Sequence, residues 1–183
     1  MPLPPSTNNY AIGKGVMSIA LWSGGAPGAY EDMGNCPVVD IEPTAEWLDH
    51  FSSRQELRLK DKRIVLEAAY SLTFECDEIA AVNLNRYLMG TISGVNLVQA
   101  MQGIENEYAL RFTSDNPVGP NFIWDFHKAT LSPNGPMSLI GEEWMIMSFA
   151  AEGLADVGGN PDSPYFDVNM IVATTTTSTT TTP

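Results

Sequence analysis

A chain of 183 residues, 44% hydrophobic and 17% charged, has the size and balance of one globular domain with a real core. No apolar run approaches the ~20 residues a membrane helix needs. The formal net charge of −13 argues against nucleic-acid binding through the average surface, because phosphate recognition needs clustered Lys and Arg.

The opening Met1-Pro-Leu-Pro-Pro-Ser-Thr-Asn-Asn9 has neither positive charge nor an apolar h-region, so it is expected to be a flexible arm (residues 1–9), not a secretory signal. Folding in a cytoplasm follows as the expectation. Cys36 and Cys76 then read as reduced, buried thiols, with a disulfide disfavoured by compartment.

Gly13 to Trp22 reads as a first strand, and Ser23-Gly-Gly-Ala-Pro-Gly28 as a turn cluster without the spacing of a dinucleotide loop. Val38 to Glu42 reads as a short strand that Pro43 ends. Thr44 to Phe51 fits either a helical turn with Trp47, Leu48 and Phe51 on one face or an irregular anchor under a loop. Ser52 to Lys62, without Gly or Pro, reads as a long loop with a basic tip.

Arg63 to Asp77 alternates for fifteen residues. Ile64, Leu66, Ala68, Tyr70, Leu72, Phe74 and Cys76 fall on one face, and Arg63, Val65, Glu67, Ala69, Ser71, Thr73, Glu75 and Asp77 on the other. A period of two means a strand with one buried and one solvated face. At ~3.3 Å per residue it would run roughly 50 Å, long enough for a barrel or tube wall or for a hairpin arm of a sandwich.

Asp77 is a good helix N-cap, and Ala80, Leu84, Tyr87 and Leu88 recur at helical spacing before Gly90, which predicts a helix over residues 78–89. Thr91 to Gln102 has no clear period. Further strands are expected at Tyr108–Thr113, Phe122–Leu131, Trp144–Glu152 (apolar on both faces, hence central) and Tyr165–Val172. The tail 174–183 is nearly all Thr and cannot build a core. About seven strands and one helix give a mainly β class, an antiparallel barrel or sandwich with one flanking α-helix, over a domain of residues 10–173.

No catalytic or ligand-binding signature stands out. His50 and His127 are isolated, and no G-x-S-x-G elbow, H-E-x-x-H, paired C-x-x-C or EF-hand loop occurs. The pair Glu142-Glu143 would point to opposite faces of a strand. The expectation is a non-catalytic protein with no cofactor and no metal.

Three stretches carry a family resemblance. They are Tyr10-Ala-Ile-Gly-Lys-Gly-Val-Met-Ser-Ile-Ala-Leu21, Tyr30-Glu-Asp-Met-Gly-Asn-Cys-Pro-Val-Val-Asp-Ile-Glu-Pro43, and Leu48-Asp-His-Phe-Ser-Ser-Arg54 with its basic loop, alternating strand and Asp77-Glu-Ile helix ending at Gly90. In order and spacing they resemble the tail tube (major tail) proteins of long non-contractile-tailed bacteriophages, over roughly the first half of the chain. The resemblance implies hexameric rings stacked into a tube, with long strands lining a continuous lumen and the first-half loop reaching the next ring. It implies the subunit itself, a tape measure protein, a tail terminator and tail-tip or baseplate proteins as partners. Genome DNA would pass through unbound. The setting would be the virion tail, assembled in the host cytoplasm, with no membrane involved.

The residue reading agrees with that picture. An acidic wall repels phosphate, and Glu67, Ala69, Ser71, Thr73 and Glu75 form an acidic, small-residue face that would line the lumen. Of nine basic residues, five lie between Arg54 and Arg63, so Arg54, Arg58, Lys60 and Lys62 are the candidate inter-ring contact, the plain alternative being a solvated loop. Two other classes fit parts of the pattern: a tube protein of the type VI secretion kind, and a carbohydrate-binding β-module using Trp22, Trp47, Trp124 or Trp144 for stacking. The apolar settings of the tryptophans argue for core instead.

Overall fold

The computed structural model describes residues 9–54, 56–117 and 119–171. The expected N-terminal arm, save Asn9, and the Thr-rich tail lie outside them. Among the described residues the chain forms β1 (Gly15–Ser23), β2 (Ala26–Pro27), β3 (Glu31–Asp32), β4 (Val38–Ser52), β5 (Leu59–Cys76), α1 (Ala81–Tyr87), β6 (Thr91–Ser93), β7 (Leu97–Gln99), β8 (Glu107–Ser114), β9 (Asn121–Pro133), β10 (Met147–Gly153) and β11 (Phe166–Ile171).

Nine strands make one antiparallel sheet in the order β2-β1-β8-β9-β10-β5-β4, with β3 added to β1 and β11 to β9. The centre is β9. One of its edges carries β8, while the other is divided between β11, on residues 121–126, and β10, on residues 129–133. Val39 and Ile41 of β4 share an apolar recess with Phe112 and Trp124, so the sheet curls until its outer strand faces β8 and β9. The class is mainly β with one helix, as the alternation predicts.

The core fills the inside of that curl. Tyr70, Leu72, Phe74 and Cys76 of β5 meet Phe126 and Ala129 of β9, Met147, Phe149 and Ala151 of β10, and Met17 and Ile19 of β1. Phe74 stacks on Phe149 at 5.0 Å between centroids, and Tyr70 sits edge-on to Phe166 at 5.3 Å. The Tyr70 hydroxyl donates to the Lys128 carbonyl at 3.3 Å, and burial pushes its phenol well above the usual range. Gly153 is required by this ring: a Cβ there would lie 2.1 Å from Tyr70 Cε1.

The helix is shorter than its stripe suggests. Its N-cap is Ala80, without a side-chain cap bond. Asp77 does not cap it; its carboxylate instead accepts from Asn35 Nδ2 at 2.6 Å. The buried Asn83 amide donates to the Met33 carbonyl at 3.0 Å, and the Tyr87 hydroxyl to the Gly135 carbonyl at 2.6 Å, which anchors the helix across the core's end. The helix closes with Gly90 N–H on the Asn85 carbonyl and Met89 N–H on the Arg86 carbonyl. The left-handed residue of this motif is Met89 (φ 48°), not Gly90. Gly90 is needed for space, since a Cβ would lie 2.2 Å from the Gln99 carbonyl oxygen.

Two further expectations are corrected. Pro43 does not end a strand, because β4 runs through it to Ser52 and absorbs the ambiguous 44–51 stretch. As the outermost strand, β4 can turn a residue without an N–H to the open edge. The long loop expected over 52–62 is shortened at its C-terminal end, because β5 starts at Leu59, so Lys60 and Lys62 belong to β5. The unassigned 91–102 stretch forms the small hairpin β6–β7.

Candidate assembly surfaces

The outer face of the sheet is built from alternate positions. Directly opposed residues of antiparallel strands share a face. Across β4, Glu67 meets Glu46, Ala69 meets Thr44, Ser71 meets Glu42 and Thr73 meets Asp40. Across β10, Ser71 meets Glu152, Thr73 meets Ala150 and Glu75 meets Ser148. Beyond β10 the same rows reach Ser132, Thr130 and Glu107. The residues expected to be lumen-lining, Glu67, Ala69, Ser71, Thr73 and Glu75, therefore sit on one surface with Asp40, Glu42, Glu46, Glu107 and Glu152. Its side chains are small or acidic except Val38, opposite Glu75. Lys128 pairs with Glu107 at its margin, at 2.9 Å. Glu46 and Glu67 face each other as like charges.

Asp40 and Glu42 alternate within Val38–Glu42, whereas Glu46 and Glu152 stand in stretches without that alternation. Their assembly with β5 needed the strand order.

The second feature is an arm. β10 covers β5 only at Ser71–Cys76, so the remainder of β5, residues 59–70, pairs with β4 alone. This two-stranded ribbon projects from the sheet for ten or so residues, roughly 30 Å. Trp47, Leu48, Phe51, Leu57, Leu59, Ile64, Val65 and Leu66 are all exposed on it, Leu66 at 55% and Leu57 at 70%. Ile64 and Leu66, expected in the core, are thus outside it. A register shift between Glu46 and Trp47 puts Val65, not Leu66, opposite Trp47. Between that bulge and a second register shift at His50/Phe51 the faces exchange parity, and the fifteen-residue alternation is broken.

Cross-strand pairs hold the ribbon. Arg63 lies over the Trp47 ring at 4.4 Å and Arg58 over Phe51 at 5.3 Å. Asp49 takes Lys60 at 2.6 Å and Arg63 at 3.3 Å, and His50 meets Asp61 at 2.5 Å. Of the four expected contact residues, Lys60 already has an acid within its own chain. Arg58 rests on a ring that leaves its charge uncompensated. Arg54 and Lys62 make no ion pair among the described residues. Arg54 and Arg58 stand in the turn, Lys60 and Lys62 in β5.

A third exposed segment precedes β10. Ile140 and Trp144 are 95% and 89% exposed, flanking Glu142 and Glu143. The strand expected from Trp144 begins only at Met147. Of the four tryptophans, Trp124 packs against the core, whereas Trp47 and Trp144 are exposed.

Among the described residues, no group of three His, Cys, Asp or Glu side chains is placed to hold a metal ion, and no helix is long and apolar enough to cross a membrane.

Residues 10–97, from the opening strand through the arm and α1 to the start of β7, match the family described as Protein of unknown function UCP028589. No curated protein matches the chain significantly. Its fold is similar to a chain of the anti-feeding prophage baseplate, solved by cryo-EM with 6-fold symmetry, at 12% identity and a TM-score of 0.45, covering 94% of this chain and 98% of that one. It is also similar to a chain of the anti-feeding prophage cap, the tube terminating cap, at 10% identity and a TM-score of 0.40, with 94% of each chain covered.

Proposed function

We propose that this chain is a non-catalytic structural subunit of a phage tail, a tail tube protein that polymerises as stacked, hexameric rings around a DNA conduit. The arm carries this reading. An isolated two-stranded ribbon is marginal in water, and this one exposes eight large apolar side chains that the monomer leaves uncovered. A patch of that kind marks a surface that another chain covers. The acidic outer face supports the same reading, because a conduit for DNA must repel phosphate along its wall.

Electrostatics then sets the stacking problem. A hexameric ring would carry 6 × −13, or −78, formal charges. Rings of that charge repel, and a basic arm offsets the repulsion where it meets an acidic surface. The segment with Glu142, Glu143 and exposed Trp144 offers both the charge and the apolar area that such an arm needs. Tape measure, terminator and tail-tip proteins would meet the same rings along the lumen and at the tube ends.

Light scattering after size exclusion, combined with negative-stain microscopy, tests the proposal. Six-fold rings or tubes are expected at high protein concentration or after seeding with tail-tip proteins. A strictly monomeric species under both conditions would refute it.

A further inference from the structure

The Cys36 and Cys76 sulfurs stand 3.0 Å apart, and both thiols are free. Cys76 is the last residue of β5 and is fully buried, while Cys36 lies in the segment before β4 and is half-buried. The chain between them is the whole β4–β5 hairpin, including the projecting arm. Their backbones are already held in place: Asp77 N–H donates to the Asn35 carbonyl at 3.2 Å, the Asn35 amide donates to the Asp77 carboxylate, and Val38 pairs with Glu75. No large movement is needed to bring the sulfurs together.

We propose that Cys36 and Cys76 are a latent disulfide site that staples the root of the arm once the protein meets an oxidising disulfide or leaves a reducing compartment. The accessible member starts the reaction. The Cys36 thiolate attacks one sulfur of a low-molecular-weight disulfide such as oxidised glutathione, releasing one small thiolate and forming a mixed disulfide. The Cys76 thiol then gives up its proton, and its sulfur displaces the second small thiolate from Cys36. Two protein thiols are oxidised and one small disulfide is reduced to two thiols. The hydrogen bond with Cys36 and burial push the Cys76 thiol far up, so it stays protonated and inert until its neighbour is activated.

The site is independent of any assembly reading. It would close the start of the outermost strand onto β5 and restrain the hairpin in the unfolded chain.

The full chain is incubated with oxidised glutathione, and intact mass, denatured thiol titration, peptide mapping and melting temperature are read. The expected product is a monomer about 2 Da lighter, with no titratable thiol and a Cys36–Cys76 linked peptide. Its melting temperature should rise by roughly 5–10 °C and return on reduction. Cys36→Ser, at the half-exposed position, should fold normally and show neither the mass loss nor the reversible rise. A stable glutathione adduct, a disulfide-linked dimer, or two thiols still titratable after oxidation would overturn the proposal.

Discussion

Leu66 and Phe74 lie on one strand, and simple alternation assigns them to the same buried face. The structure separates them: Phe74 is 0% exposed and stacked on Phe149, while Leu66 is 55% exposed on the arm. Phe74→Ala removes a fully buried ring stacked on Phe149 of β10 and should cost about 3–5 kcal/mol. At 2–4 °C per kcal/mol for a chain of this size, the melting temperature should fall by roughly 6–20 °C. Leu66→Ala removes a side chain that water already reaches. Full burial of Leu is worth about 1.5–3 kcal/mol, and about half of that area is buried, so the cost should stay near ~1 kcal/mol and the shift within ~4 °C. In assembly the ranking should reverse, because Leu66 sits where a neighbouring subunit would cover it. Circular dichroism melts of both variants, with sedimentation of the polymer formed by Leu66→Ala, give the comparison. If Leu66→Ala melts as early as Phe74→Ala, the arm is folded onto the body and the reasoning from its exposure is wrong.

The Arg58→Glu/Lys60→Glu double variant breaks the Lys60–Asp49 pair and the Arg58–Phe51 contact, exposed interactions worth about 0–1 kcal/mol each, so it should keep the monomer fold and should fail to stack. Under the proposed assembly, wild-type tubes should loosen between 0.1 M and 1 M salt as the Debye length falls from ~10 Å to ~3 Å. Normal polymerisation of the variant, or salt-indifferent tubes, would leave the basic tip a solvated turn. The Glu67→Lys/Glu75→Lys variant moves the chain from −13 to −13 + 4, or −9. It replaces the opposed Glu46–Glu67 pair by an attractive one, so denaturant melts should show no loss and a gain of up to ~1 kcal/mol. Tubes of this variant should retain DNA that wild-type tubes release, and equal retention would place these residues away from the wall.

Several features were legible because they are local. The alternation over 63–77 marks a strand, and the small or acidic character of Glu67, Ala69, Ser71, Thr73 and Glu75 marks its solvated face. The Leu84–Leu88 stripe marks a helix next to it. The antiparallel β class follows from strands of this kind with short turns between them. Each of these signals lies within one segment of the chain.

What the tertiary structure decided was which segment lies beside which. β10 reaches only Ser71–Cys76, so the same alternating strand is core at Phe74 and exposed arm at Leu66. A bulge at Glu46/Trp47 shifted the pairs of Trp47 to His50 by one residue, and a second at His50/Phe51 shifted the last two by one more, which local periodicity does not register. Pro43 reads as a breaker in isolation and is tolerated because β4 is the outermost strand. Asp77 has the chemistry of a cap, yet Asn35, forty-two residues away in sequence, competes for its carboxylate. Alternation records the polarity of a face, whereas burial depends on the neighbour that covers it, and that neighbour is set by long-range strand order.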